Sequence, residues 1–406
     1  MNILSDRVNR LHPSATLAMS ARSAELKAQG VDVINMSVGE PDFATPDHIK
    51  AAAFAAITDN WTRYSPVPGY PSLRQAICDK LQRENGFTFT PAQICVGNGA
   101  KQCIAGALMA LVNAGDEVVI PMPVWVSYPE MVLMADGTPV PVFTGIEQNF
   151  KITADQLEAA ITPKTKVVML CSPSNPTGAV YSHDELAALA AVLAKHPQVW
   201  VISDEIYEHI NYIGRHESIA QFPTMLERTV IINGVSKAYA MTGWRIGYAA
   251  GPEVVVKAIS KLQGQYTSGP CSVSQKAAEA AYRGDQQCVE DMRKAFERRR
   301  DLIVKLASDI PEFDVNHPDG AFSLFPRCSR CFGKSYQKTT ADGGQETVTI
   351  ENGTDLAMYL LDVAHVAAVG GDSFGAPECI RFSYATADDN IVEAMRRVKA
   401  ALAELK

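Results

Sequence analysis

The feature that most restricts the fold is an alternation of short apolar segments and helical segments between about Ile94 and Gly251. We predict strands at Ile94–Val96, Glu117–Ile120, Pro139–Phe143, Lys166–Cys171, Val199–Ile202, Thr229–Ile232 and Ile246–Ala250. Helices are predicted at Lys101–Val112, Val124–Met134, Ala154–Ile161 and Asp184–Ala194. This alternation favours an α/β fold, in which helices cover both faces of a mostly parallel, seven-stranded sheet.

The two ends of the chain carry a different pattern. Ser14 is expected to cap a helix that runs to Gly30, and a long Arg-rich helix is expected from about Gln286 to Leu306. Further signals are strands at Phe322–Phe325 and Ile380–Tyr384, helices at 354–364 and 388–404, and a surface hairpin or mobile loop at Ser335–Gly353. We therefore predict an N-terminal arm (1–45), a large domain (46–290) and a small α+β domain (291–406) that both chain ends help to build.

Composition narrows the classes of function. Of 406 residues, 47% are hydrophobic and 20% charged, which is typical of a globular protein. A net charge of −8 argues against nucleic acid and anionic membranes as partners. No apolar stretch approaches the ~18 residues of a membrane span, and the N-terminus lacks the apolar core of a signal peptide. Nine scattered cysteines fit a reducing compartment, so we expect a cytoplasmic protein.

The cysteines and histidines give no support for a metal site. Cys328 and Cys331 form a lone C-x-x-C pair, whereas a metal site would normally need a second pair. The histidines show no spacing that is typical of metal ligands. We therefore expect no metal.

Lys237 is the strongest candidate for chemistry. It follows the predicted strand Thr229–Ile232, Ser236 comes directly before it, and Arg245 lies eight residues after it. A lysine in this place could form a Schiff base with an aldehyde cofactor. Ser236 and Arg245 could hold a phosphate group of that cofactor, the arginine through its planar fork. The alternative is a surface lysine in a loop, because Ser-Lys is a common dipeptide.

Two other predicted strands also end in polar residues. Asp204 and Tyr207 follow the strand Val199–Ile202, and Asn175 lies between two prolines after Lys166–Cys171. Ligands of α/β proteins bind at the carboxyl ends of the strands. A carboxylate there could keep a pyridine nitrogen protonated, and Tyr207 could bind a ring oxygen. The alternatives are a helix cap for Asp204 and a simple turn around Asn175.

A glycine-rich turn supplies the third element. Gly97, Gly99 and Ala100 lie between the strand Ile94–Val96 and an apolar helix. Small residues at the start of a helix allow a phosphate to approach the free backbone N–H groups. The turn alone is weak support, but here it has the strand before it and the helix after it that such a site requires.

Together these motifs resemble the class I and II aminotransferases, which are fold-type I enzymes that use pyridoxal 5′-phosphate (PLP). The closest resemblance is to the bacterial aspartate/prephenate subgroup, and it covers nearly the whole chain. The matching stretches are 13–16, Gly39–Phe43, Arg63–Pro66, Pro123–Pro129, Ser172–Gly178, Ser203–Tyr207, Val235–Tyr248 and Arg381–Thr386.

The resemblance implies a role in binding the PLP ring for five residues. Lys237 matches the Schiff-base lysine, and Asp204 matches the partner of the pyridinium nitrogen. Asn175 and Tyr207 match the ligands of the ring oxygen, and Trp125 matches the aromatic side chain that stacks on the ring. Lys237, Asp204 and Tyr207 are accordingly the expected catalytic residues.

The resemblance also implies a phosphate site and a partner subunit. The residues that match the phosphate site are Gly99, Ala100, Lys101, Ser236 and Arg245. Tyr64 matches a tyrosine that reaches the phosphate of the neighbouring subunit. A homodimer with shared active sites is therefore expected.

For the substrate, the resemblance implies two carboxylate sites. Gly39 and Arg381 match the residues that bind the α-carboxylate, close to Trp125 and Asn175. Lys101, with Thr16, resembles a clamp for a second carboxylate, which suits aspartate, glutamate and the 2-oxo acids oxaloacetate and 2-oxoglutarate. The implied reaction is transamination with ping-pong kinetics. For Arg381, a surface position on a strand is the alternative.

Some features of the sequence leave other functions open. His12 stands where relatives that use prephenate often carry lysine, and the segment Val369–Gly375 departs from the usual Val-Pro-Gly-x-x-Phe pattern. An aromatic or prephenate aminotransferase and a PLP-dependent C–S β-lyase are the alternative enzymes on this scaffold. A PLP-sensing transcription regulator would need an added basic helix-turn-helix region.

Overall fold

The computed structural model describes residues 3–13, 15–339 and 343–406. Within these ranges the strands are β1 (Ile34–Asn35), β2 (Ile94–Asn98), β3 (Glu117–Met122), β4 (Thr138–Phe143), β5 (Thr165–Cys171), β6 (Trp200–Asp204), β7 (Thr229–Gly234), β8 (Ile246–Ala250), β9 (Ser323–Leu324), β10 (Ser335–Thr339), β11 (Gln345–Thr349), β12 (Val366–Ala367), β13 (Val369–Gly370) and β14 (Ile380–Ser383).

The helices of the same ranges are α1 (Asp6–Asn9), α2 (Ala15–Ala28), α3 (Asp47–Thr58), α4 (Pro71–Lys80), α5 (Ala100–Leu111), α6 (Ser127–Met134), α7 (Ala154–Ala160), α8 (His183–Ala194), α9 (Glu253–Tyr266), α10 (Ser272–Arg283), α11 (Gln287–Ser308), α12 (Gly353–Tyr359) and α13 (Asp388–Glu404). None of them is both long and apolar enough to span a membrane. The predicted cap of α2, Ser14, lies outside the described residues.

Seven strands form the large sheet, in the order β2-β8-β7-β6-β5-β3-β4. The pairings among β3 to β7 are parallel, and only β8 runs antiparallel to its two neighbours. This confirms the predicted mostly parallel sheet. Cys171 at the end of β5 pairs with Asp204, and Asp204 pairs with Ile232 of β7. The polar segments that follow β5, β6 and β7 therefore leave the sheet at one edge.

Helices cover both faces of this sheet because alternate residues of a strand point to opposite sides. Val167 and Met169 of β5 pack in one apolar cluster with residues of α5, α6 and α9. Val168 and Leu170 of the same strand pack in another cluster with residues of α7 and α8. A strand that is buried on both faces has apolar residues at successive positions. The sequence therefore predicts β5 correctly.

Residues from both ends of the chain share one apolar cluster. Strand β1 pairs in parallel with β12, and Met36 is buried together with residues of α11 and α13. Strands β13, β14 and β9 form a small antiparallel sheet in the same part of the protein. The domain boundaries at residues 45 and 290 stay predictions.

Some element boundaries differ from those predicted. The helix expected from Val124 begins at Ser127, and the preceding segment is bonded elsewhere, since the Val124 N–H donates to the Phe374 carbonyl at 3.0 Å. The helix expected at 354–364 is α-helical only as far as Tyr359 and ends in a π-helical turn, Leu360–Ala364. Between the two alternatives for Ser335–Gly353, the hairpin is confirmed, since β10 and β11 pair antiparallel.

Candidate active site

A cavity of about 260 Å³ lies at the sheet edge where β5, β6 and β7 end. It collects all the predicted site residues except Gly99 and Tyr64. These lining residues are Thr16, Gly39, Ala100, Lys101, Trp125, Asn175, Asp204, Tyr207, Ser236, Lys237, Arg245 and Arg381. They come from segments that are far apart in the sequence, so their convergence is a property of the fold.

Lys237 reaches into this cavity from the turn after β7. Its ammonium donates to the Gly39 carbonyl at 2.6 Å and lies 5.8 Å from the centre of the Tyr207 ring. Desolvation by burial lowers the pKa of Lys237 from 10.5 to about 8, and the nearby arginines act in the same direction. The surface-lysine alternative is therefore wrong. At neutral pH this amine loses its proton far more readily than an exposed lysine does.

Asp204 ends β6 with only 5% of its surface exposed. One carboxylate oxygen accepts the Ile206 N–H at 3.2 Å, and the other accepts the hydroxyl of Tyr128. Burial raises the pKa of Asp204 to about 6, while these hydrogen bonds act in the opposite direction. No α-helix begins here, so the helix-cap alternative is wrong, and the carboxylate faces the cavity.

Arg381 lies on β14 with 1% of its surface exposed, so the surface-strand alternative is also wrong. Its guanidinium donates to the Asn175 side-chain oxygen at 3.1 Å and to the Ser37 carbonyl at 2.6 Å, and it lies 4.8 Å from the Phe374 ring. Burial lowers its pKa to about 10. Within the described residues its Nε atom has no hydrogen-bond partner, and the two oxygen atoms that it does bond, from Asn175 and Ser37, are uncharged. A buried cation in this condition favours an anionic ligand.

The start of α5 forms the second wall of the cavity. Gly99 precedes this helix with a φ of +82°, a conformation that favours glycine. A Cβ atom at Gly99 would lie 2.4 Å from Nη2 of Arg245, so the missing side chain leaves room for the guanidinium beside the helix N-terminus. The buried Ser236 lines the same cavity. Free N–H groups, a hydroxyl and a guanidinium together fit a phosphate.

Lys101 and Thr16 also line the cavity, and Lys101 is exposed to solvent. The Lys101 ammonium is 4.7 Å from the centre of the Trp125 ring, and burial lowers the pKa of Lys101, with Arg245 acting in the same direction. The Thr16 hydroxyl is buried and has no partner within the described part of the chain. A cation and an unused hydroxyl are groups that can bind a further carboxylate.

Tyr64 does not line this cavity. Its exposed fraction is 96%, and it borders a separate depression with Arg63, Ser65 and Cys271. Its expected place in the active site of a partner subunit therefore stays a prediction.

The sequence reading did not assign a role to Tyr128. Its buried hydroxyl donates to Asp204, and its ring packs edge-on against Trp125 at 5.7 Å. In the predicted helix Val124–Met134, Trp125 and Tyr128 would share a face, because they are three apart, and this spacing was the available signal. In the structure Trp125 precedes α6, and the Tyr128 N–H donates to the Trp125 carbonyl at 3.0 Å. Other lining residues that were missed are Ile104, Cys171, Ile206 and Thr242.

Comparison with known proteins gives consistent results. The family model for aminotransferase class I and II matches residues 31–398. The aspartate/prephenate aminotransferase of Cereibacter sphaeroides is 50% identical over the full length of both chains. The crystal structure of the aspartate aminotransferase from Rhizobium meliloti is 44% identical, with a TM-score of 0.93 and 99% of each chain covered. The Thermus thermophilus aspartate aminotransferase with maleate is 40% identical, with a TM-score of 0.91, and the match covers 99% of this chain and 100% of that one.

Proposed function

The chain belongs to the class I and II aminotransferases, and from this premise we propose that it is a PLP-dependent aminotransferase of dicarboxylic amino acids. It would transfer the amino group between aspartate or glutamate and a 2-oxo acid, oxaloacetate or 2-oxoglutarate. The observation that carries the proposal is the convergence of Lys237, Asp204 and the unpaired Arg381 on one cavity.

The residues present fit PLP. When bound, PLP supplies an electron-withdrawing ring that stabilises negative charge at the α-carbon of the substrate. Asp204 would hold a proton on the ring nitrogen, Asn175 and Tyr207 would bind the ring oxygen, and Trp125 would cover one face of the ring. The phosphate would be held by Ser236, Arg245 and the N–H groups of Ala100 and Lys101, where Gly99 leaves the space for the Arg245 guanidinium; the Gly99 N–H itself donates to the Gly97 carbonyl at 2.8 Å.

Lys237 would have two tasks. It would first hold the cofactor through its amine, and it would then act as the base and acid that moves a proton at the α-carbon of the substrate. A pKa of about 8 suits both tasks, because proton transfer is most effective when the catalytic pKa lies near the working pH. The Gly39 carbonyl, which accepts a hydrogen bond from the Lys237 amine in this structure, would lie next to the substrate.

Two cations would select the substrate. The Arg381 guanidinium would bind the α-carboxylate through its planar fork, with Gly39 close by. Lys101 and the unpartnered hydroxyl of Thr16 would bind the second carboxylate. A substrate with one carboxylate would leave Lys101 without a counter-ion, which favours dicarboxylic acids.

We further propose a cytoplasmic homodimer with shared active sites. The support is the nearly complete exposure of Tyr64 and the free state of all the cysteines. Tyr64 would extend into the active site of the second subunit, where it would bind the phosphate. Free thiols are typical of a reducing compartment.

Prephenate is a second candidate substrate, because the Cereibacter sphaeroides relative is named for both aspartate and prephenate. His12 is the residue to examine. Its ring lies 3.2 Å from Glu130, and its side chain is 81% exposed at the border of a depression that also contains Lys101. Rates with glutamate and prephenate, measured in the wild type and in His12→Lys, would show whether this position limits prephenate use.

The proposed function is tested most simply by absorbance. Protein purified with PLP should show the visible band of the lysine-bound cofactor. An excess of aspartate should remove this band and release about one equivalent of oxaloacetate per subunit. Phenylalanine at the same concentration should remove it more slowly. A band that aspartate leaves unchanged would refute the proposal.

A further inference from the structure

The end of β6 and the turn that follows it present side chains in two directions. Asp204 and Tyr207 line the candidate active site, whereas Glu205 and Glu208 do not. Glu205 is 1% exposed and Glu208 6% exposed. A buried carboxylate is costly unless it is paired and hydrogen-bonded. Two such groups directly behind two expected catalytic residues therefore call for an explanation.

Glu208 is held by Lys80 and Asn85. The fully buried Lys80 ammonium donates to one oxygen of Glu208 and, at 3.0 Å, to the side-chain oxygen of Asn85. The Asn85 amide donates to the other oxygen of Glu208 at 3.0 Å. Burial raises the pKa of Glu208, but the charge and hydrogen bond of Lys80, together with His209 and His216, outweigh this effect and hold the pKa below its usual range. Glu208 is therefore ionised and bonded at both oxygens.

The backbone before the large sheet is shaped to make these contacts. Helix α4 ends at Lys80 and continues as a π-helical turn, Leu81–Asn85. Gly86 ends this turn with a φ of +77°. Single π-helical turns are rare and are frequent at functional sites. Here the turn brings Lys80 and Asn85 to the same carboxylate.

Glu205 is also held at its carboxylate, by two hydroxyls and a histidine. Its carboxylate accepts the hydroxyls of Ser203 at 2.8 Å and Ser218 at 2.6 Å, and it lies 3.0 Å from Nε2 of His216. The backbone N–H of Glu205 also donates to the Ile232 carbonyl of β7 at 2.8 Å. Both buried carboxylates, Glu205 and Glu208, therefore hold the turn on the side that does not line the cavity.

A metal ion is not the better explanation of this cluster. Glu84, Glu208 and His209 are close enough to share an ion. The Lys80 ammonium, however, already bonds Glu208 and lies 3.5 Å from Glu84. It therefore supplies the positive charge that these carboxylates require.

We propose that Lys80, Asn85 and Glu208, the Lys80 network, are positioning residues for Asp204 and Tyr207. A buried ion pair adds little net stability compared with apolar residues of similar size, but it can fix one conformation. By fixing Glu208, the network sets the turn that carries Tyr207 and begins directly after Asp204, and so keeps both groups aligned with Lys237. This inference rests on the proposed function, because alignment matters only if these groups act on a cofactor and its substrate.

The test compares a double variant with the wild type. Lys80→Met with Glu208→Leu removes both charges and keeps apolar bulk, a replacement that proteins often tolerate. We expect a melting temperature close to that of the wild type and about tenfold weaker PLP binding. We also expect kcat/KM to fall about tenfold for aspartate and for phenylalanine alike. PLP binding is measured by titration of the cofactor-free protein, and it does not depend on turnover.

Arg228→Met serves as the matched control. Arg228 is also a buried cation, but its guanidinium donates to the carbonyls of Leu193, His196 and Val199 and does not line the active-site cavity. This variant should lower the melting temperature and leave the PLP dissociation constant unchanged.

Asn85→Leu keeps the ion pair and is the second variant. It should weaken PLP binding about threefold, and it keeps the inference testable if the double variant fails to fold. Folded variants of the Lys80 network that bind PLP and turn over aspartate like the wild type would overturn the inference. A wild type that does not transaminate aspartate would instead overturn the proposed function.

Discussion

The deep end and the open end of the active-site cavity differ in how their charges are held. At the deep end, burial shifts the pKa values of Lys237, Asp204 and Arg381 to about 8, 6 and 10. At the open end, Lys101 remains exposed to solvent. The difference suggests that the deep end sets the reaction, whereas the open end selects the substrate. Changes at the deep end should therefore affect all substrates, and changes at the open end only some.

The largest effect is expected from Lys237→Ala. Without this amine, the protein has no group to attach the cofactor. It also has no acid–base group to transfer the proton at the α-carbon. Loss of a general acid–base group costs roughly 10²–10⁴-fold in rate, so turnover of every amino acid should fall by at least this factor. The measurement is kcat with aspartate and with phenylalanine, and circular dichroism should show an intact fold. Residual turnover within tenfold of the wild type would remove Lys237 from the mechanism.

Asp204→Ala should have the next largest effect. The carboxylate would keep a proton on the cofactor ring, and a ring without that proton withdraws electrons poorly. Loss of one preorganised electrostatic contact in a buried site typically costs about 10²–10³-fold in kcat. The variant should retain part of its PLP. Single-turnover absorbance with aspartate measures the effect, and a rate near that of the wild type would contradict the role.

A pair of variants tests the contrast between the two ends directly. Arg381→Lys should weaken every amino acid substrate, because an ammonium cannot form the bidentate contact of the guanidinium. Lys101→Ala should penalise aspartate and spare phenylalanine. A lost charge-assisted bond is worth roughly 1.5–3 kcal/mol, so the selective loss should be about 10–100-fold in kcat/KM.

If Lys101→Ala slows aspartate and phenylalanine equally, the open end does not select the substrate. Lys101 would then belong to the phosphate site, and the preference for dicarboxylic acids would lose its main support.

The smallest effect is expected from Tyr128→Phe. The Tyr128 hydroxyl donates to Asp204 and so favours the ionised carboxylate. Its loss should raise the pKa of Asp204. As the pH falls, Asp204 in the variant should therefore become protonated at a higher pH than in the wild type. A hydrogen bond of about 1 kcal/mol changes the protonation constant about fivefold, so with a pKa of about 6 the ionised fraction of Asp204, and with it kcat/KM, should fall about threefold at pH 6 and by less at pH 8. The pH profile of kcat/KM measures this, and an unshifted acid limb would argue against the role of the hydroxyl.

The parts of the molecule that could be predicted are those fixed by local pattern. Strands β5, β6 and β7 are short apolar runs that end in polar residues, and parallel pairing alone brings these ends to one edge. Asn175, Asp204 and Lys237 could therefore be placed together from the sequence.

The parts that could not be predicted depend on long-range packing. Lys80 lies at the end of an ordinary amphipathic helix, and only the fold brings it to Glu208, 128 residues away. The segment before α6 is bonded through the Val124 N–H to the carbonyl of Phe374, which is distant in the sequence. Neither of these two long-range contacts produces a periodic pattern in the sequence.

The measurement that tests the central claim most directly is the location of the cofactor on the chain. Protein loaded with PLP would be reduced with borohydride, digested, and mapped by mass spectrometry. We predict the pyridoxyl group on Lys237, and its absence when the protein is treated with excess aspartate before reduction. A pyridoxyl group on any other lysine, including Lys101, would contradict the assignment of Lys237 and of the cavity around it.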